Sequence, residues 1–285
     1  MLFLCELASL NVFVFFLLND VHWLEEVIMK TIACCSFKGG TAKTSSVLHL
    51  GAHLAKKRKR VLLIDFDAQA NLSTGIGLSS DSLDTMVPVL QGEKSAQEVV
   101  QKTYIPGLDM IPANVFLDGV EATHPIVNDL YGHERLKRAV AKLDYDYVFI
   151  DTPPSLGWLT QSAFFAADYS IICAVPEPYS ILALNRLKEY HERIQEHHKL
   201  EILGVVLSFW DNRGATNHAY VNAIDSAFPE KLFEAKIRRD IMVSRAVLKG
   251  QAVFDAYPGS RAAYDYERLG DEFLRRVESL VLAQV

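Results

Sequence analysis

The sequence predicts an α/β protein built on a doubly wound, mostly parallel sheet with helices on both faces. Three observations carry that reading. From residue 30 onward, strand-like apolar runs alternate with stretches of helical periodicity. The strand runs are near-continuously apolar instead of alternating with polar residues, as expected of a sheet covered on both faces. Half of the 285 residues are apolar and 22% are charged, which is ample material for a large core. With 15 glycines and 10 prolines the chain is neither collagen-like nor of low complexity. No apolar run reaches the roughly 18 to 20 residues that a membrane span needs.

The first 28 residues differ from the rest, with four acids (Glu6, Asp20, Glu25, Glu26) and no Lys or Arg. Their apolar centre, residues 7–18, has no basic segment before it and no small-residue cleavage site after it, so a signal peptide fits poorly. Two readings stand, an extension from a wrongly chosen start codon, which is favoured, and a short surface helix. The single large domain is expected over residues 29–285.

Strands are expected at 31–36, 61–65, 108–112, 147–151, 170–175 and 202–208, where β-branched and apolar residues run together. Helices are expected at 45–57, 134–143, 181–198 and 215–228, with a last one at 261–282. The least regular stretch, 79–105, reads as a loop with a short helix. Four cysteines (Cys5, Cys34, Cys35, Cys173) lack CxxC spacing and suggest neither a zinc site nor a disulfide framework, in keeping with a reducing cytoplasm. A formal charge of −6 argues against wholesale nucleic-acid binding, though a local basic patch remains open.

In an open α/β sheet, ligands bind beyond the carboxyl ends of the strands, and three strand ends carry candidate chemistry. After the first comes Lys38-Gly39-Gly40-Thr41-Ala42-Lys43-Thr44-Ser45, leading into a helix. Glycines let backbone amides and the helix N-terminus face a phosphate, Lys43 can neutralise β and γ phosphates, and the Thr44 hydroxyl can ligate Mg2+. The strict pattern GxxxxGK[ST] fails twice, at Phe37 and Ala42, so a plain glycine turn is the competing reading. After the second strand stand Asp65 and Asp67, alternate carboxylates suited to one metal-shell and one water-positioning role, or else to solvated turn formation. The fourth ends in Asp151, as a strand holding Mg2+ through water should.

At these residues the chain resembles the ParA/Soj/MinD family of partition and positioning ATPases, P-loop NTPases with a deviant Walker A motif KGGxxKT. The likeness extends through VLLIDFDAQANLS, YVFIDTPPSL, IRRDIMVSRA and AYPGSRAA, nearly everything from Met29 on. The family pattern requires Lys38 and leaves the Phe37 position free. Ala42 replaces the usual glycine and is expected to be tolerated because Gly39-Gly40 remains. The resemblance implies an ATP-sandwich homodimer in which Lys38 reaches the partner's phosphates while Lys43 binds phosphate in its own subunit. It further implies that Gly39, Gly40, Thr41, Ala42 and Ser45 line the nucleotide, that Thr44 holds Mg2+, and that Asp67 orients the attacking water. Asp151 would support the metal indirectly, through water, and Asp65, a supporting switch residue, would be counted with Thr44 and Asp151 in the metal site. Glu177 sits where MinD-branch relatives place a carboxylate near the partner's ribose, with a solvated loop acid as the alternative.

Within the family, a DNA-bound partition ATPase is expected over a membrane-bound positioning one, because the terminal helix balances its arginines with acids and reads as a core helix. Arg213, Arg238, Arg239 and Arg245 lie where Soj-like proteins carry non-specific DNA-binding arginines; ordinary surface salt bridging is the alternative. The resemblance implies slow, Mg2+-dependent ATP hydrolysis stimulated by a ParB-like centromere-binding partner, a place in the cytoplasm on the nucleoid, and no stable membrane association. A MinD-like membrane scaffold is the main rival, and an amidoligase-type relative a weaker one. The run Lys56 to Arg60 is expected to be solvated surface, His49 and His53 lack a third metal ligand, and Trp158 is either a switch aromatic or packing.

Overall fold

The computed structural model describes residues 29–123, 125–129, 131–177, 180–214 and 217–282. The predicted extension at residues 1–28, with Cys5, lies outside the described residues.

Strand β1 (Lys30–Cys35) is buried along nearly its whole length and sits mid-sheet, between β5 (Tyr147–Asp151) and β6 (Tyr169–Ala174). With β2 (Val61–Asp65), β3 (Gln101–Lys102), β4 (Leu108–Ile111), β7 (Glu201–Trp210) and β8 (Ile237–Arg238), the described residues form one sheet of order β3-β4-β2-β5-β1-β6-β7-β8. Every neighbouring pair is parallel except β3 with β4. The expected doubly wound, mostly parallel sheet is the observed one.

Because side chains alternate across a strand, each strand feeds two cores. Ala33, Cys35, Leu62, Ile64, Val148 and Ile150 face one layer. That layer holds α3 (Met86–Gln91), α4 (Phe116–Thr123), α5 (Glu134–Val140), α6 (Trp158–Ala166), α7 (Ser180–Gln195) and α8 (Asn217–Ala227). Ile32, Cys34, Val61, Leu63 and Phe149 face the other, built from α1 (Lys43–Lys56), α2 (Asn71–Gly75), α9 (Ile241–Val247), α10 (Val253–Ala256) and α11 (Arg261–Leu282). Helix α1 lies close on the sheet: a Cβ added at Gly51 would stand 2.6 Å from Leu63 Cδ2. Helix α11 covers α1 with Ala262, Tyr266, Leu269, Phe273 and Val277, all buried, so its apolar stripe is consumed by the core.

The irregular stretch 79–105 contains α3, a 3-10 turn at Ala96–Val99 and the short β3. The helix is bounded by chemistry a period search does not register: Thr85 Oγ1 accepts from Val87 N at 3.2 Å at its start, and Gly92 at φ 82° ends it. Trp158 opens α6 and packs, partly buried, against the first core. His49 is fully buried; it accepts from Val253 N at Nε2 (3.0 Å), donates from Nδ1 to Ser45 O (2.6 Å) and stacks on Tyr266 at 4.3 Å. His53 pairs with Asp271 at 2.9 Å. In the basic run, Lys56 pairs with Asp255, Lys57 with Asp271, and Arg60 with Asp144 and Asp146, as suits a solvated face. Cys34, Cys35 and Cys173 are free and buried.

Candidate functional site

The register of the central strands brings the predicted residues together. Asp151 is the register partner of Asp65 on β2 and of Cys34 on β1, so two strand-end carboxylates stand side by side where β1 runs into the loop 36–42. That loop enters α1 through Ala42, whose φ of 59° and ψ of 25° are left-handed. The Ala42 carbonyl accepts from Ser46 N and Ser46 Oγ, both at 2.9 Å, which fixes this bend. Gly40 is also left-handed, at φ 75°, and an added Cβ at Gly39 or Gly40 would meet nothing within 4 Å. The first turn of α1 holds no acid and its N-cap makes no side-chain hydrogen bond, leaving the N-terminal amides facing the loop. Beside them the buried Thr41 hydroxyl has no hydrogen-bond partner.

Lys43 is buried and its ammonium lies 2.5 Å from Asp151 Oδ1. Burial alone would pull the Lys43 pKa down, but the charge and hydrogen bond of Asp151, with Asp67 beyond, outweigh it and the pKa is raised. Lys43 is therefore a fixed cation at the base of the loop. Asp67 is half-buried; its Oδ1 accepts from Gln69 N at 3.0 Å. Its pKa is raised, first by burial and then by the charges of Asp151 and Asp118, against the pull of Gln69 N and Lys43. Asp65 is fully buried with Oδ2 accepting from Ser73 N (2.9 Å) and Ser73 Oγ (2.7 Å), while Oδ1 accepts from Asp67 N (3.3 Å). Burial and then the Asp151 charge push its pKa up. Asp65 thus ties α2 to the Asp67 loop through both carboxylate oxygens. Thr44 and Ser45 are partly exposed on the first turn of α1.

Lys38 lies on the outer rim of the loop and pairs with Glu177, just beyond β6. Glu177 in turn lines a cavity of about 570 Å³ with Pro176, Phe209, Trp210, Arg213 and Arg239. Phe209 has φ 56°, a left-handed backbone that a bulky residue adopts at a cost of about 1 to 2 kcal/mol, and its ring carries the Arg239 guanidinium at 4.9 Å. Sequence reasoning missed this cavity. Its signal was available, since Phe209 and Trp210 end a strand on the same edge of the sheet as the loop.

The four arginines do not behave as one set. Arg238 is held by Asp265 through three side-chain hydrogen bonds of 2.7 to 3.2 Å, and Asp265 also accepts from the Arg238 backbone at 2.9 Å. Arg238 thus makes the salt bridge that the alternative reading expects, with a buried carboxylate answering its charge, while also lining the cavity. Arg213 and Arg239 line the cavity as Arg238 does, Arg213 being 94% exposed with its Nε 3.9 Å from Asp211 Oδ1, and Arg245 is exposed on α9. Among the described residues no group of three His, Cys, Asp or Glu side chains could hold a metal by itself.

Comparison with known proteins places this arrangement. The family model described as AAA domain matches residues 29–203. A ParA family protein of Chlamydia trachomatis serovar D is 53% identical over 249 residues, 86% of this chain and 98% of that one. The chain belongs to the ParA family. Another relative is the sporulation initiation inhibitor protein Soj of Bacillus subtilis, 34% identical over 85% of this ParA family chain and 97% of Soj. Among solved structures it is similar to cobyrinic acid a,c-diamide synthase from Mycobacterium smegmatis with bound ADP and magnesium, at a TM-score of 0.75 and 29% identity over 88% of this chain and 96% of that one. The resemblance drawn from KGGTAKT and the strand-end carboxylates is confirmed at the level of the family.

Proposed function

We propose that this chain is a DNA-partition ATPase that dimerises around ATP, binds DNA without sequence preference as the dimer and is released after slow, partner-stimulated hydrolysis. The observation that supports this most is the phosphate loop, where a buried Thr41 hydroxyl without a hydrogen-bond partner, the buried Lys43 cation and an acid-free first turn of α1 follow one another at the end of β1. That donor set fits a polyphosphate, and ATP is the ligand proposed. Gly39 and Gly40 leave the loop unobstructed, and the cavity beside Glu177 is the space for the nucleoside. Thr44 would hold Mg2+ through its hydroxyl, and Asp151, whose Oδ1 carries the Lys43 ammonium, would support the metal through water. When bound, Mg2+ and ATP supply the transferable phosphoryl group and a metal charge that offsets its oxygens.

The chain's own residues do the positioning. Lys43 stabilises negative charge on the transferred group from below the loop. Asp67, half-buried with a raised pKa, orients the attacking water and accepts from it. Asp65 keeps the Asp67 loop in place through Ser73. Lys38, on the outer rim, is the lysine given to the partner protomer, which makes the dimer ATP-dependent and hydrolysis dimer-dependent. Arg213, Arg239 and Arg245 provide exposed positive charge for phosphate contacts, doubled in the dimer. A ParB-like centromere-binding protein is the expected stimulating partner, and the nucleoid the expected place.

The membrane alternative loses support at α11, whose apolar stripe is buried against α1 and the sheet, and no helix among the described residues is long and apolar enough to cross a membrane. Co-sedimentation of the ATP-loaded protein with DNA and with anionic liposomes tests the proposal. Binding to DNA alone is expected. Binding to liposomes alone would establish the positioning alternative, and ATP turnover that needs glutamine and an organic carboxylate but ignores DNA would establish the amidoligase alternative.

A further inference from the structure

In the single chain the Lys38 ammonium rests on the Glu177 carboxylate, 139 residues away in sequence, with 53% and 49% of the two side chains exposed. The adjacent Phe37 ring carries the Arg186 guanidinium of α7 at 5.5 Å, so the segment after β6 holds the rim of the phosphate loop at two consecutive residues. Glu177 also forms part of the wall of the 570 Å³ cavity. One carboxylate therefore faces the loop lysine on one side and the nucleoside space on the other.

We propose that Glu177 is a positioning residue that keeps Lys38 folded back on its own chain, so that each protomer must break this ion pair before Lys38 can reach the partner's nucleotide and the dimer can form. The inference rests on the sandwich reading given above. A lysine ammonium held by a carboxylate of its own chain is neutralised and directed away from a partner. Phosphates arriving at the loop compete with Glu177 for Lys38 and repel the carboxylate, while hydroxyls entering the cavity offer it other hydrogen bonds. Without nucleotide neither competitor exists, so two empty chains meet with their rim lysines withdrawn. An exposed ion pair of this kind shifts an equilibrium roughly twofold to fivefold, and because each protomer must open one, the dimerisation constant shifts roughly 4- to 25-fold. A carboxylate serving only the partner's ribose would act with the opposite sign, since its loss would weaken the dimer.

The test is sedimentation equilibrium of the full-length wild type and Glu177→Gln, each with Mg2+ and a non-hydrolysable ATP analogue, at low and at high ionic strength, after thermal melts show that both are folded. The expected result is that Glu177→Gln dimerises at roughly 4- to 25-fold lower protein concentration at low salt, with the gap narrowing at high salt because an exposed ion pair is screened. Equal dimerisation of the two proteins overturns the proposal. Weaker dimerisation of Glu177→Gln, insensitive to salt, also overturns it and assigns Glu177 to the partner's nucleotide. If both proteins bind the analogue and stay monomeric, the sandwich reading itself fails and the proposal fails with it. A monomeric wild type beside a dimeric Glu177→Gln keeps both.

Discussion

Replacing Ala42 by glycine should stabilise this protein, although glycine in a folded element ordinarily does the reverse. Ala42 sits at φ 59° and ψ 25°, where its Cβ crowds the following carbonyl at a cost of about 1 to 2 kcal/mol. Glycine removes that cost but gives the unfolded chain more freedom, which takes back about 0.4 to 1 kcal/mol. The net gain expected is about 1 kcal/mol, or about 2 to 4 °C in melting temperature for a domain of this size. The hydrogen bonds from Ser46 N and Ser46 Oγ go to the Ala42 carbonyl and survive the change. Gly40 provides the control of opposite sign: it has φ 75° and open space where a Cβ would go, so Gly40→Ala isolates the backbone cost and should lose about 1 kcal/mol. Urea unfolding and thermal melts of wild type, Ala42→Gly and Gly40→Ala read both signs. A less stable Ala42→Gly, or a more stable Gly40→Ala, would refute the left-handed loop and the reasoning built on it. The expectation that Ala42 is tolerated because Gly39-Gly40 remains thus needs a physical supplement, since the left-handed bend falls on Ala42 itself.

Three further outcomes are expected. Lys43→Ala should abolish ATP binding, whereas Asp67→Ala should still bind ATP and dimerise while hydrolysis falls by roughly two orders of magnitude, read by calorimetry and phosphate release; an Asp67 variant unable to bind nucleotide would make that residue structural. Arg238→Ala should leave the buried Asp265 carboxylate without its cation and lower stability by about 2 to 3 kcal/mol, while Arg239→Ala/Arg245→Ala should stay as stable as wild type and lose DNA affinity, with the salt slope smaller by about 0.9 for each phosphate contact removed; unchanged DNA affinity and slope would place the DNA face elsewhere. Burial drives the His49 pKa from 6.5 down to about 4, so the unfolded chain takes up a proton in that window that the folded one refuses. Stability should therefore be full above pH 6.5 and fall with acid toward pH 4, each such histidine adding up to about 1.4 kcal/mol per pH unit, and His49→Gln should flatten the curve by one proton; an unchanged slope would show that His49 is not the group responsible. His191, lowered to about 4 mainly by burial, supplies a similar proton that remains in the variant.

What could be read from the chain alone was local. The central strands announce themselves because burial on both faces demands unbroken apolar runs, and the phosphate loop because its lysines, glycines and threonine are contiguous. Asp65, Asp67 and Asp151 were legible as strand-end acids because the carboxyl edge of a parallel sheet is where ligands bind. Tertiary structure alone decided how these residues divide the work. Asp65 and Asp67 look equivalent in sequence, yet Ser73 from α2 takes up the first and leaves the second at the site. Arg238 and Arg239 are adjacent and identical, yet Asp265, 27 residues later on α11, neutralises one and not the other. Lys38 meets Glu177 only because β1 and β6 are neighbours in the sheet. The two-residue strands β3 and β8 are too short to leave a period and exist through their partners. Local pattern fixes which residues carry charge and where the chain turns. Which charges are free is set by the long-range contacts that place an opposite charge beside some of them, and those contacts leave no period in the sequence.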